Sequence, residues 1–571
     1  MSHPPAPRPF SALRVLDLST EIAGPYATKL LCDQGADVLR VEEPPGDPLR
    51  RRTAAQIELP EGADSALFQF LNAGKRAALC SADDPTARAR LRELAREADV
   101  LVASGGPAAL ARRLASLAEL RAANPRLSVV SISPWGTTGP YADRPATEWT
   151  LQAATGFIAR RGIAAWTAAR ATGAGRHVDV SIFEAMIACG PVFADLNGQF
   201  IGGLLPMYFD VPSIEPAADG WVGFAPVTSQ QWEDFCLMIG RPELGRDERF
   251  RWAQARSAHL AFFHEVIHAW TRARKISEIL EQTELLRIPS APIGNGAALP
   301  RTDHFIERGV FVENPGGFLQ PRVPFALAEV PRAAVERAPR IGEHALEWQA
   351  PEGRAQRGEA ERRSNGMGAD DAPLAGLRVV DLTAFWAGPF ASNTLAMLGA
   401  EVIKVESIQR PDGIRFVNAK PGPPVWEASS IFQGVNTEKR DVTLRLDCDE
   451  GRRALRALVE RADVLIENFS ARVLEQFELG WETLSAWNPQ LVLVRMPAWG
   501  LDGPWRDRTG FAMNIEQACG CRSTRTCATR LAGCTRWWRC SRRSSTGAAP
   551  GAASRWRCRS WSQASISPRS R

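Results

Sequence analysis

Apolar positions near the start of the chain follow two different periods. Leu13 to Leu18 (LRVLDL) and Asp37 to Glu42 (DVLRVE) mix apolar and β-branched residues at strand length. Between them Tyr26 to Ala36 (YATKLLCDQGA) puts apolar residues at helical spacing and has a glycine near its end. A strand, a crossover helix and a second strand predict a parallel sheet covered on both faces.

The pattern returns at Leu377 to Glu406 (LRVVDLTAFWAGPFASNTLAMLGAEVIKVE). An offset of 364 carries Asp17 onto Asp381, Gly24 and Pro25 onto Gly388 and Pro389, and Val41 and Glu42 onto Val405 and Glu406. It also carries Asn72, Lys75 and Arg76 onto Asn436, Lys439 and Arg440, ADVLV at Ala98 onto ADVLI at Ala462, and Gly139-Pro140 onto Gly503-Pro504. Register held this far, with no gap expected, predicts a duplicated domain of about 150 residues. The chain divides into a first large domain (1–200), a smaller Trp- and Phe-rich domain (201–347), a polar linker (348–372), a truncated second large domain (373–518) and an aberrant tail (519–571).

Gly-Pro precedes the helix in both copies. Proline suits a first helical turn because its missing N–H would find no partner there, and glycine lets an anionic ligand approach the free N–H groups. The plain alternative is a stop-and-start signal. No G-x-G-x-x-G or P-loop follows either first strand, which disfavours dinucleotides and nucleoside triphosphates.

With 45% apolar and 23% charged residues among 571, the chain reads as a multidomain globular protein. No apolar signal core or run of about 18 apolar residues is found, so no membrane partner is expected and the cytoplasm is the default. The net charge of +5 is misleading. Cys519 to Arg571 holds twelve Arg and no acid, leaving the body before it at −7, which argues against a nucleic-acid partner. The scattered Cys32, Cys80, Cys189, Cys236 and Cys448 show no metal spacing and fit a reducing compartment. His264 to His268 (HEVIH) fits the zinc-protease pattern, but its flanks read as an ordinary amphipathic helix, and no metal is expected.

In order along the chain, AGPYATKLLCDQGADVLRVEEPPGD, NAGKRA, TGAGRHVDVSIFEA, DGWVGF, IPSAPI and GEHALE resemble the class III CoA-transferases of CaiB/BaiF type, the family of formyl-CoA transferase and carnitine CoA-transferase. The likeness covers the first half and resumes from Pro373 to about Gln517. It implies an α/β fold with two Rossmann-like parallel-sheet large domains in tandem, the first with a smaller second domain and the second truncated. Partners would be an acyl-CoA and a carboxylic acid acceptor. Coenzyme A is then part of the substrate, and no further cofactor is needed. Family subunits interlock as rings, so the chain would form an interlocked pseudo-dimer or a homo-oligomer.

Carried over by position, the resemblance puts Ala387, Gly388 and Pro389 at the helix start near CoA, and Asn436, Lys439 and Arg440 in the N-x-x-K-R segment. Glu467, Asn468 and Phe469 (ENF) match a segment lining the adenine and pantetheine side; the first copy has Ala103, Ser104 and Gly105 there. Gly24, Pro25, Lys75 and Arg76 are the first copy's counterparts. Lys439 and Arg440 read either as a solvated loop end or as phosphate contacts. Glu42 and Glu406 read as solvated surface acids or as ribose hydrogen-bond acceptors.

The family relays CoA through an aspartate carboxylate that attacks the thioester. The first half has no Asp between Asp143 and Asp179; at Gly162 the loop and the front of its helix are missing, and Asp179 reads as a structural strand position. The second half loses family character after Cys519. Its tail could be a basic disordered arm. The favoured cause is a frameshift: one permitted back-translation from Ala528, read two nucleotides later, gives DPLGRVHAVVALLAALEHRRRTGRGQ, an Asp-Pro loop, an apolar helix and a family-like turn. The catalytic residue is therefore unknown. The readings are an acyl-CoA:carboxylate CoA-transferase, an inactive CoA-binding remnant, or an acyl-CoA racemase of the same fold.

Overall fold

A computed structural model describes residues 8–53, 58–138, 177–181, 211–251, 253–326, 330, 334–348, 372–417 and 425–519. The first large domain contains β1 (Arg14–Leu18), β2 (Asp37–Glu42), β3 (Arg76–Leu79), β4 (Val100–Ser104), β5 (Ser128–Ser133) and β6 (His177–Ser181). Every pairing is parallel and the order is β3-β2-β1-β4-β5-β6. This is the doubly wound order, in which chain direction across the sheet reverses between β1 and β4 and opens a crevice at their carboxyl ends. Val15, Leu16 and Leu18 of β1 are all buried, as covering both faces of a central parallel strand requires.

A small domain follows. Its antiparallel sheet consists of β7 (Ile214–Ala217), β8 (Gly220–Phe224) and β9 (Ser290–Pro292), and a separate hairpin joins β10 (Phe311–Asn314) to β11 (Phe318–Pro321). The helix Ser229–Met238 begins with a Thr228 capping box, and its Trp232 and Phe235 pack with Phe224 and with Phe263 of the helix Leu260–Thr271. The Trp232 and Phe263 rings meet edge to face at 5.7 Å, a preferred arrangement for buried aromatics.

Residues 334–348 run back onto the first large domain. His344 N–H donates to the Ala77 carbonyl at 2.8 Å, Trp348 Nε1 donates to Leu94 O at 3.1 Å, and Arg50 donates to Pro339 O. The GEHALE segment thus closes a ring from large domain to small domain and back.

The second large domain repeats the first as β12 (Arg378–Asp381), β13 (Glu401–Glu406), β14 (Lys439–Thr443), β15 (Val464–Glu467) and β16 (Val492–Arg495), ordered β14-β13-β12-β15-β16 and wholly parallel. Registers also repeat: Asp17 stands opposite Arg40, and Asp381 opposite Lys404.

The expectation of an ungapped offset needs correction. Glu42 accepts from Asp47 N and from Arg50, whereas Glu406 accepts from Asp412 N and from Arg415, an offset of 365 after the strand. One residue is inserted in the exposed loop of the second copy, and the offset returns to 364 by the caps Ser65 and Ser429. Loops absorb such insertions at little cost.

Candidate active site

The helix Ala23–Asp33 starts at the carboxyl end of β1, and Ala387–Met397 starts at the same end of β12. Both begin three residues before the predicted tyrosine or phenylalanine, so Gly-Pro lies inside the first turn. The glycine leaves room for the protein itself. A Cβ on Gly24 would lie 2.1 Å from Ser19 Cβ, and one on Gly388 2.4 Å from Thr383 Cβ. The space behind each glycine is filled by a side chain just past the preceding strand.

Beneath each helix start lies a buried ionic cluster. Lys439 Nζ donates to Asp381 Oδ2 at 3.0 Å, Pro389 O at 2.9 Å and Asn436 Oδ1 at 2.7 Å, which uses all three of its hydrogens. Lys75 does the same with Asp17, Pro25 O and Asn72, and adds Thr28. Asp17 also receives Thr28 and, from the neighbouring strand, Arg40. Burial alone would raise the Asp17 carboxyl, but Lys75 and Arg40 outweigh it and hold it at about 2. Burial pulls the Lys75 ammonium down to about 8 against the attraction of Asp17.

Neither reading of Lys439 offered by the sequence, solvated loop end or phosphate contact, describes its surroundings. Lys75 and Lys439 pin the Gly-Pro turn to the sheet; lysine accepts this position because a carboxylate and two carbonyl oxygens replace its water. Arg440 is exposed and pairs with Glu401 at 2.8 Å, while Arg76 pairs with Asp37 at 2.8 Å and holds Glu347 O. The reading of Glu42 and Glu406 as solvated is also corrected. Arg50 holds buried Glu42 and Arg415 holds Glu406, and each pair lowers its carboxyl despite burial.

At the switch point the two copies match in less expected ways. Glu21 and Phe385, just before the helix starts, adopt left-handed φ angles of 63° and 66°. Such backbone is strained for a side chain larger than glycine and gathers at functional sites. Asn468 spans the crevice in the second copy: its Oδ1 accepts from Ala384 N and its Nδ2 donates to Ala384 O, each at 2.8 Å. In the first copy Ser104 bridges Thr20 N and O with one hydroxyl, so a single oxygen replaces an amide. Phe469 N–H donates to Glu467, whose carboxyl burial raises despite Arg495 beside it. Gly388 and Asn468 therefore meet at the crevice mouth, with Ala387 and Pro389 in the same helical turn, while the Phe469 ring packs into the core beside Val380 and Leu382. Glu406, Asn436 and Lys439 support it from behind.

The second crevice reaches across to the small domain. Phe385 meets Phe511 edge to face at 4.9 Å, and Phe511 caps the helix Ala512–Ala518. That helix packs on β8 and β9 of the first copy. Gln517 Nε2 approaches Phe224 O at 3.4 Å, Gly294 N donates to Gln517 O at 3.0 Å, and Asn514 Nδ2 donates to Ser290 O at 3.2 Å. Gly223 is needed here, because a Cβ on it would lie 2.2 Å from Gln517 Oε1. Beside this contact His304 is sandwiched by hydrogen bonds to Trp499 O (2.9 Å) and from Trp505 N (3.2 Å), with its ring stacked on Trp505.

Sequence reasoning missed Phe385, Phe511, Asn514, Gln517 and His304. The aromatic residues flanking Gly-Pro and the FAMNIEQA run carried the only available signal. The Gly162 break, Asp143 and the region around Ala528 lie outside the described residues, as do most of the linker and the tail; Asp179 lies in β6, opposite Ser131. Among the described residues no helix is long and apolar enough to cross a membrane.

The profile of CoA-transferase family III matches residues 10–165, 161–345 and 374–534. A probable CoA-transferase, Rv1866 of Mycobacterium tuberculosis, is 30% identical over 541 residues, covering 86% of this chain and 65% of its own length. The chain thus spans a little under two thirds of that relative. The succinate–glutarate CoA-transferase of Agrobacterium fabrum is 28% identical over 377 residues, 59% of this chain and 94% of its own. A CaiB/BaiF family protein from Brucella suis superposes with a TM-score of 0.52 at 26% identity, covering 59% of this chain and 98% of its own. With three profile matches and a duplicated doubly wound sheet, the chain belongs to CoA-transferase family III.

Proposed function

We propose that this chain is built for acyl-CoA:carboxylate CoA transfer, with the thioester held between the second large domain and the first copy's small domain. The observation that carries this reading is the docking of the helix Ala512–Ala518 on β8 and β9, close to the Phe385 and Asn468 crevice. The helix leads into the segment where the family resemblance puts the nucleophile loop. In the family reaction a carboxylate oxygen attacks the thioester carbonyl, CoA thiolate leaves and a mixed anhydride remains; the thiolate then attacks the enzyme's carbonyl and releases the donor acid.

We further propose that this sequence binds CoA thioesters without completing that exchange alone. No Asp occurs between Asp143 and Asp179 or after Asp507. The family match ends at residue 165 and restarts at 161 as a second match, which supports a lost segment in the first copy. Racemisation would need an acid and a base at the substrate α-carbon, and no such pair stands at this crevice among the described residues. The test uses succinyl-CoA, since one relative is named for succinate. The chain should bind it without a covalent adduct, and a chain carrying the shifted-frame string from Ala528 onward should form a hydroxylamine-labile adduct. Failure of both proteins to bind CoA would refute the reading.

A further inference from the structure

The helix Leu260–Thr271 buries Phe263, Ile267 and Thr271 against the small-domain core. One helical turn separates His264 from His268 on its flank, and their rings stack at 4.9 Å and 13°. Strand β7 brings a third group from far away in sequence. Glu215 is only 1% exposed; its Oε1 accepts from Ser213 N at 2.8 Å and its Oε2 lies 2.8 Å from His268 Nε2. Its ion-pair partner among the described residues is His268. One ligand atom each from Glu215, His264 and His268 lies within 4.8 Å of the others.

We propose that Glu215, His264 and His268 form a Zn²⁺ site that ties β7 to the helix Leu260–Thr271. Two imidazole nitrogens and one carboxylate oxygen suit this ion, at bonds of about 2.0–2.2 Å. Ligand atoms at that range stand roughly 3.3 Å apart around a tetrahedron, so side-chain rotation would draw in any pair nearer the 4.8 Å limit. The Ser213 N–H fixes the carboxylate as an outer-shell partner should. A divalent cation would also compensate a buried carboxylate that pairs with no lysine or arginine among the described residues. Both histidines are half-buried, leaving an entry path and a fourth position for water. Glu265, the acid of the HEVIH pattern, is exposed and outside the triad, so the peptidase arrangement is not reproduced. The expectation of no metal weighed only the helix; Glu215, 53 residues from His268, changes the donor count.

The test is Zn²⁺ titration of the full chain, stripped by chelator, against a chromophoric competitor, with Co²⁺ absorption reporting coordination. About one equivalent should bind. His264→Gln, His268→Gln and Glu215→Gln should each weaken binding about 10- to 100-fold, and His259→Gln, outside the triad, should leave it unchanged. Glu215→Gln keeps an oxygen for Ser213 N–H, and circular dichroism checks that it folds. A folded chain that takes up no equivalent, or uptake indifferent to these substitutions, would overturn the proposal. Neither result depends on whether CoA binds.

Discussion

Lowering the pH should loosen the contact between the second large domain and the small domain through His304. This imidazole is buried, donates through Nε2 to Trp499 O and accepts at Nδ1 from Trp505 N–H. A second proton would remove the acceptor and place charge beside Arg308 and Arg508. Burial chiefly, with those arginines and against the Trp499 carbonyl, lowers its pKa from 6.5 to about 4. Below pH 6.5 the undocked state binds the proton first. The stabilisation is therefore complete above 6.5, falls as pH drops and is lost by about 4. At about 1.4 kcal/mol per pH unit the loss comes to about 3–4 kcal/mol. Hydrogen exchange of residues 499–519 between pH 7 and 4.5 reads the local opening. His304→Gln should flatten the slope; equal slopes in the two proteins would refute the argument.

Lys439→Met should cost about 3–5 kcal/mol in urea melts by stranding buried Asp381; a fully stable variant that merely binds CoA less well would restore the phosphate-contact reading. Gly388→Ala should destabilise by about 1–3 kcal/mol because its Cβ has no room beside Thr383, again read by urea melts. Asp17→Asn should remove about 2 kcal/mol of the stability that the parent loses between pH 4 and 2, since the folded carboxyl sits below its ordinary 3.8. Met397, Ile408, Trp426 and Val492 are all at least half exposed. These exposed apolar side chains should lower soluble yield or recruit another subunit, as light scattering would show.

The strands were legible because parallel cores demand apolar runs: β2 begins and ends where DVLRVE does. Duplication was legible for a related reason, since Asp17 and Asp381 anchor the same turn. Lys439 was misread because lysine is usually solvated, and its partner carboxylate lies 58 residues earlier, the same separation as between Lys75 and Asp17. The contact of Gln517 with Gly223 and the approach of Glu215 to His268 join separate elements, and no local period announces them. Asn468 was singled out by resemblance, but its bond pair with Ala384 depends on how β12 and β15 sit side by side. Positions set by local period could be read in advance, whereas positions set by tertiary approach could not.

The most direct test of the central claim is intact-mass analysis of the purified 571-residue chain after incubation with succinyl-CoA, alongside equilibrium binding of CoA. The account predicts saturable CoA binding and an unmodified mass. A hydroxylamine-labile acyl or CoA adduct on one of its carboxyl groups would contradict it.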